Sequence, residues 1–143
     1  MSLADAIYAQ LKTRPVITGI VGDNIFHFAT EQQNPLAAVF FEEVSEVQVR
    51  AFCASPVLAS TRMAFECWFA DTQDVNGQQM AEAIGHEVYM AFCDPNGDKS
   101  GPLTGNVAGT YIQDVRFDSS RPLYDEQARK WGREIDLTFD CRL

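Results

Sequence analysis

Asp94, Asn96 and Asp98 place three oxygen-bearing side chains at alternate positions, the spacing that opens a calcium-binding loop. The match stops there. The glycine required at the sixth position is Lys99, and the bidentate glutamate required at the twelfth is Gly105. Asp, Asn and Gly are also what an ordinary surface turn uses, and Asp94 to Gly105 reads as such a turn-rich loop. The four cysteines, Cys53, Cys67, Cys93 and Cys141, contain no C-x-x-C pair and no histidine at zinc spacing. Cys67 and Cys141 fall on the apolar faces of two expected strands, where a reduced thiol behaves as a small hydrophobe. The two histidines are His27 and His86, and His86 falls on a polar helix side near Glu82 and Glu87. No G-x-S-x-G elbow, local cysteine-nucleophile signature or G-x-x-x-x-G-K loop is present. Glu42 and Glu43 are adjacent, so a regular strand would point them to opposite faces. The expectation is no catalytic residue, no metal site and no cofactor. An enzyme would have to be assembled from residues distant in sequence.

The elements that would hold these side chains are easier to read. From Met63 to Phe69 the chain alternates: Met63, Phe65, Cys67 and Phe69 on one side, Ala64, Glu66 and Trp68 on the other. Asp71 and Thr72 supply capping oxygens, and Met80, Ile84, Val88 and Phe92 then recur every fourth residue, with Ala81 and Ala91 widening the stripe. This predicts a strand running into a helix over about 72–92, roughly 30 Å long at ~1.5 Å per residue. Gly77 and Gly85 lie on its apolar face, marking either a close approach to a sheet or subunit or a tolerated weak spot.

At the N-terminus, Ser2 and Asp5 form a capping-box pattern ahead of Leu3, Ile7 and Leu11, a helix over about 3–13 that Pro15 ends. Val16 to Val21 suggests one further helical turn, and Ile25, Phe26 and Phe28 a short strand after the Gly22-Asp23-Asn24 turn. Glu31 to Pro35 reads as a loop. Leu36 to Val49 is β-prone, with muddled alternation at Phe40-Phe41 and Glu42-Glu43 that suggests a bulge or bend. Glu46 to Ser60 reads as a hairpin or arm joining two antiparallel strands. Gly109 to Phe117 is expected as a strand and Asp118 to Lys130 as a loop, on account of Arg121-Pro122.

The chain ends on its clearest pattern. Trp131, Ile135, Leu137, Phe139, Cys141 and Leu143 share one face with Arg133, while Gly132, Glu134, Asp136, Thr138, Asp140 and Arg142 form the other. Half apolar and half charged, this strand belongs to an antiparallel sheet with one wet face. It is long against a typical ~5–6 residues, so it should either bend or extend toward another chain.

With 143 residues, 46% hydrophobic and 22% charged, the chain fits one globular domain, 1–143, with a sizeable core. No run approaches the ~20 apolar residues of a membrane span, and the N-terminus lacks a signal-peptide layout, so a cytoplasmic product is expected. The net charge of −9 argues against ordinary phosphate-backbone binding. The fold class expected is α+β: a mostly antiparallel sheet of four to five strands, with the long helix and the N-terminal helix on one face.

This order of features resembles the tail terminator, or tail completion, proteins of long-tailed phages and related prophage or gene-transfer particles. The matching pieces are the helix Ala4 to Leu11, the turn Val21 to Phe26, the proline-led strand Asn34 to Phe41, the strand-to-helix unit opening at Phe65 to Asp71, and Tyr124-Asp125-Glu126 followed by the strand Arg133 to Arg142. The resemblance spans nearly the whole chain and rests on pattern and length. It implies a structural virion protein without catalytic residues, forming a hexameric ring on the head-proximal end of the tail. That ring would cap the tail tube, end its polymerisation and provide the head–tail joining surface. The partners implied are further copies of the chain, the tail tube protein and the head–tail connector or neck proteins. DNA would pass through the lumen without specific binding, and no membrane is involved. A head-completion or neck connector role, or a small-ligand-binding α+β domain, are the alternatives.

Within such a ring, carboxylates facing the lumen would repel the duplex and leave it mobile. The candidates are Glu42, Glu43, Glu46, Glu134, Asp136 and Asp140, the first three foremost, against the plainer reading of a solvated outer face. Val47, Gln48, Val49, Arg50 and Phe52 form a candidate arm contacting a subunit or the tube.

Overall fold

Helix α1 (Leu3–Lys12) starts on the capping box its sequence encodes: Ser2 Oγ accepts from Asp5 N–H at 3.2 Å, and Asp5 Oδ2 accepts from Ser2 N–H at 3.0 Å. Pro15 does more than end this helix. It occupies the first turn of a second helix, α2 (Pro15–Val21), where its missing N–H costs nothing, so the single expected turn is a seven-residue helix. Arg14, between the two, donates to Glu87 Oε1 at 2.7 and 3.0 Å and fastens this corner to the long helix.

That long helix, α3 (Gly77–Cys93), begins five residues later than the expected Thr72. Its cap is Asn76, whose side chain accepts from Gln79 N–H at 3.3 Å. Asp71 serves instead as a bracket. Its Oδ1 accepts from Gly77 N–H and its Oδ2 from Trp131 Nε1, both at 2.8 Å. The computed structural model describes residues 2–27, 36–50, 56–72 and 75–142. Phe28, the expected loop from Glu31 to Pro35, and Phe52 and Cys53 lie outside the described residues.

The remaining elements are β1 (Ile25–His27), β2 (Ala37–Arg50), β3 (Pro56–Ala70), β4 (Gly105–Val107), β5 (Thr110–Asp125) and β6 (Lys130–Arg142). They form a single six-stranded sheet in the order β1-β2-β3-β6-β5-β4. The class is α+β as expected, and every pairing is antiparallel except β1 with β2. The short strand expected at Ile25 and Phe26 is β1, and the strand count exceeds the expected four to five through β4, a three-residue strand at the opposite margin.

Two expectations meet a different outcome in the sheet. The loop expected over Asp118 to Lys130 is largely strand: Ser119 to Asp125 continue β5 opposite Asp136 to Lys130. Pro122 is accommodated on a strand that, among the described residues, has no neighbour on its outer side there. The terminal strand β6 does not extend beyond its own sheet from Lys130 to Arg142. It is the spine of the sheet, paired with β3 from Arg142 to Lys130 and with β5 over the same span.

All three helices contribute to one core against one face of the sheet. Phe65 sits at its centre, 5.9 Å from Phe41, 5.5 Å from Phe92 and 6.3 Å from Phe139 between ring centroids. Phe92 meets Phe139 edge-on at 5.2 Å, an arrangement the ring quadrupoles favour. Cys67 and Cys141 are buried free thiols in this layer. The apolar side of β6 expected from its alternation is the side that carries the helices. No described helix covers the other face.

Candidate functional site

The uncovered face is polar but not simply acidic. Strand alternation aligns Ser60, Arg62 and Glu66 of β3, Glu134, Asp136, Thr138 and Asp140 of β6, and Arg116 and Arg121 of β5. Arg62 Nη2 donates to Asp136 Oδ2 at 2.7 Å, with Ser119 Oγ donating to the same oxygen at 3.4 Å. Arg116 Nη2 donates to Asp140 Oδ1 at 3.2 Å and Ser60 Oγ to the same atom at 2.5 Å. Arg121 grips Glu134 Oε2 through Nε and Nη2 at 2.9 and 2.7 Å. The three carboxylate side chains are 10%, 12% and 19% exposed, whereas the arginines above them are 42%, 53% and 68% exposed. The outermost groups of this ladder are therefore guanidiniums, laid over carboxylates at the level of the sheet.

Glu66 stands apart. It lies directly opposite Glu134 across the β3–β6 pair, and Glu42 is nearby on β2. Burial, then the charges of Glu134 and Glu42, hold its carboxyl above the usual range, with a Trp68 hydrogen bond and Arg121 acting in the opposite sense. Trp68 lies across Gly132 on the same face. A Cβ on Gly132 would stand 2.8 Å from the indole ring.

The six candidate carboxylates do not come together. Glu42, Glu134, Asp136 and Asp140 share the uncovered face, and the last two are buried beneath arginine. Glu43 and Glu46 lie on the helix-bearing side, opposite Met63 and Thr61, and Glu46 is close enough to raise the Cys141 thiol after burial and Asp140 have done so. A bulge between Glu43 and Ser45 causes this split, because the extra residue, Val44, reverses the facing of all that follows. In the candidate arm, Val47 is 64% exposed and opposite Ser60, while Gln48 is exposed and opposite Ala59. Val49 and Arg50 continue the strand opposite Leu58 and Pro56.

The sequence alone does not single out the arginine partners. The period-2 series Ser60, Arg62, Ala64, Glu66 carries the signal for Arg62, since it extends the alternation of Met63 to Phe69 backwards. Arg121 had no such signal, lying in a stretch read as loop.

On the helix side, a groove of about 480 Å³ runs between α3 and the outer half of β5, lined by Glu82, Gly85, His86, Tyr89, Phe117 and Arg133 among others. Phe117 meets Tyr89 edge-on at 5.5 Å yet remains 49% exposed. Gly85 makes room here: a Cβ would stand 2.9 Å from Arg133 Cγ, so the arginine stem lies against bare helix backbone. The close helix-to-sheet approach is thus the reading the structure supports for Gly85. In the loop after α3, Asp94 Oδ1 accepts from Lys99 N–H and Asp98 Oδ1 from Ser100 N–H, both at 3.0 Å, as turn-forming aspartates do.

No family model matches the sequence. No curated protein matches it either. Among solved structures, a chain of the "Virion of native gene transfer agent (GTA) particle" is similar, with a TM-score of 0.67 over 99% of this chain and 96% of that one, at 16% identity. At that identity the likeness is one of fold, and it extends over essentially the full length of both chains.

Proposed function

We propose that this chain is a structural protein of a phage-like particle, and within it the tail terminator. The observation that carries the reading is the full-length likeness to a chain of a gene transfer agent virion, joined to the independent resemblance in feature order. The face-sorted sheet agrees with it: one side is covered by helices, and the other presents a broad polar surface.

In this reading the subunits form a closed ring, six copies of 16.0 kDa and about 96 kDa in all, seated on the head-proximal end of the tail tube. The ring stops tube growth and receives the neck proteins. The uncovered face, with Glu42, Glu66 and the arginine-covered Glu134, Asp136 and Asp140, is the side turned to the DNA channel. Paired charges of this kind neither grip nor strongly repel a duplex, because the guanidiniums of Arg62, Arg116 and Arg121 are each committed to a carboxylate and that of Arg142 lies over the Tyr111 ring. The role requires no catalysis, cofactor or membrane.

The test is deletion of the gene in a particle-producing strain, with electron microscopy of the products. Tails of uncontrolled length lacking heads are expected, and complementation should restore uniform particles. Normal particles from the deletion strain would overturn the reading. Tails of normal length on heads that leak DNA would move the protein to the neck.

A further inference from the structure

Among the described residues the sheet has two long unpaired margins, and they differ in kind. On one side β1 covers β2 only from Val39 to Phe41, so the outer edge of β2 is bare from Glu42 to Arg50 among the described residues. On the other side β4 covers β5 only from Thr110 to Ile112, leaving Gln113 to Asp125 bare. Bare strand edges carry rows of unused N–H and C=O groups and invite another strand. Four of the exposed large hydrophobics stand on these two edges: Val44 and Val47 on β2, Phe117 and Tyr124 on β5.

Three observations make the edges complementary to each other. First, β2 and β6 run one way and β3 and β5 the other, so a copy moved sideways without turning, and slid along the strands until its β1 clears the end of β5, sets its β2 antiparallel to β5 of the first. Second, the helix-side face of the β2 edge is acidic through Glu43 and Glu46, neither of which has an ion-pair partner among the described residues. Third, the groove beside the β5 edge holds Arg133, which likewise has no ion-pair partner among the described residues, next to exposed aromatic surface. We infer that the occupant of the β5 edge is a second copy of this chain, whose β2 edge adds to the sheet and brings Glu43 and Glu46 toward Arg133. The contact is heterologous: the two patches differ, so each copy has one of each, and repetition yields a ring or a filament but never a two-fold dimer. This rests on the ring reading above and names the surfaces that would build it.

Disulfide trapping tests it. In the full-length chain with Cys53→Ser, Glu46→Cys is combined with Phe117→Cys or with Ser120→Cys, and the protein is oxidised at rising concentration. A ladder of covalent oligomers ending in one closed species is expected from a paired variant, and no band beyond a dimer from any single variant. Monomer alone at every concentration, or dimers alone from the paired variants, would overturn the proposal. Independently, Glu43→Lys with Glu46→Lys should weaken self-association about tenfold or more, and Arg133→Glu should restore it. Restoration failing in a variant with an unchanged circular dichroism spectrum would count against the contact. If closed oligomers form while neither paired variant cross-links, the ring survives and only the edge pairing falls. Absence of the chain from purified particles by mass spectrometry would instead strike at the reading beneath.

Discussion

Two residues on the uncovered face set its local energetics, Glu66 and Gly132. Glu66 faces Glu134 directly, and like charges so placed destabilise a strand pair by up to about 1 kcal/mol. Its carboxyl is held above the ordinary range, so between the unfolded and the folded pKa the native chain binds more protons than the unfolded one. Stability from this group therefore rises as pH falls through that window and is lost as pH increases across it. Glu66→Gln should stabilise the protein modestly at neutral pH and flatten this part of the pH profile, which denaturant titrations at several pH values would reveal. An unchanged pH slope would mean that Glu66 is not the titrating group. At Gly132 the constraint is space, since any Cβ meets the Trp68 ring. Gly132→Ala should cost about 1–3 kcal/mol by overpacking. Adding Trp68→Leu should recover part of that loss, because the obstructing ring is gone.

At the scale of elements, periodicity was legible where one rule acted alone. The capping box of α1, the stripe of α3 and the alternation of β6 could each be read directly, and Ser2→Ala should therefore cost about 1 kcal/mol in thermal or chemical denaturation. Legibility failed where a second influence interfered. The β5 strand contains register shifts between Ile112 and Asp114 and between Phe117 and Ser119, which scramble a period-2 pattern, and its Pro122 mimics a strand breaker. The start of α3 falls later than the capping pattern predicts because Asp71 looks like a cap while its carboxylate bridges Gly77 and Trp131, a contact sixty residues away in sequence. A single inserted residue, Val44, also decided which glutamates share a face. The muddled alternation at Glu42-Glu43 signals a bulge or bend here, but which residue is inserted, and so which glutamates it separates, is set only relative to the partner strand. The charged pairs of the uncovered face were hidden likewise: Glu134, Asp136 and Asp140 could be placed together, but the arginines above them come from two other strands.

For the whole molecule, the split of the acidic residues turns one expectation into two separable ones. Glu42 shares the uncovered face with Glu66 and the arginine-paired carboxylates, whereas Glu43 and Glu46 stand on the helix side at a β2 edge that is unpaired among the described residues. If the uncovered face lines the channel and the β2 edge joins neighbouring subunits, lysine at these positions should produce different defects. Glu42→Lys places an uncommitted cation on the channel wall, where it attracts phosphate. Particles carrying it should assemble normally yet deliver DNA several-fold more slowly at low salt, with the difference shrinking as salt screens the contact. Glu43→Lys with Glu46→Lys should instead reduce the yield of complete particles, while those that do form deliver DNA at the ordinary rate. Particle counts by electron microscopy and DNA release at two salt concentrations separate these effects. Slow, salt-sensitive release from the Glu43 and Glu46 variant, with Glu42→Lys behaving as wild type, would mean that the helix-bearing side faces the channel and that the sheet is mounted the other way round.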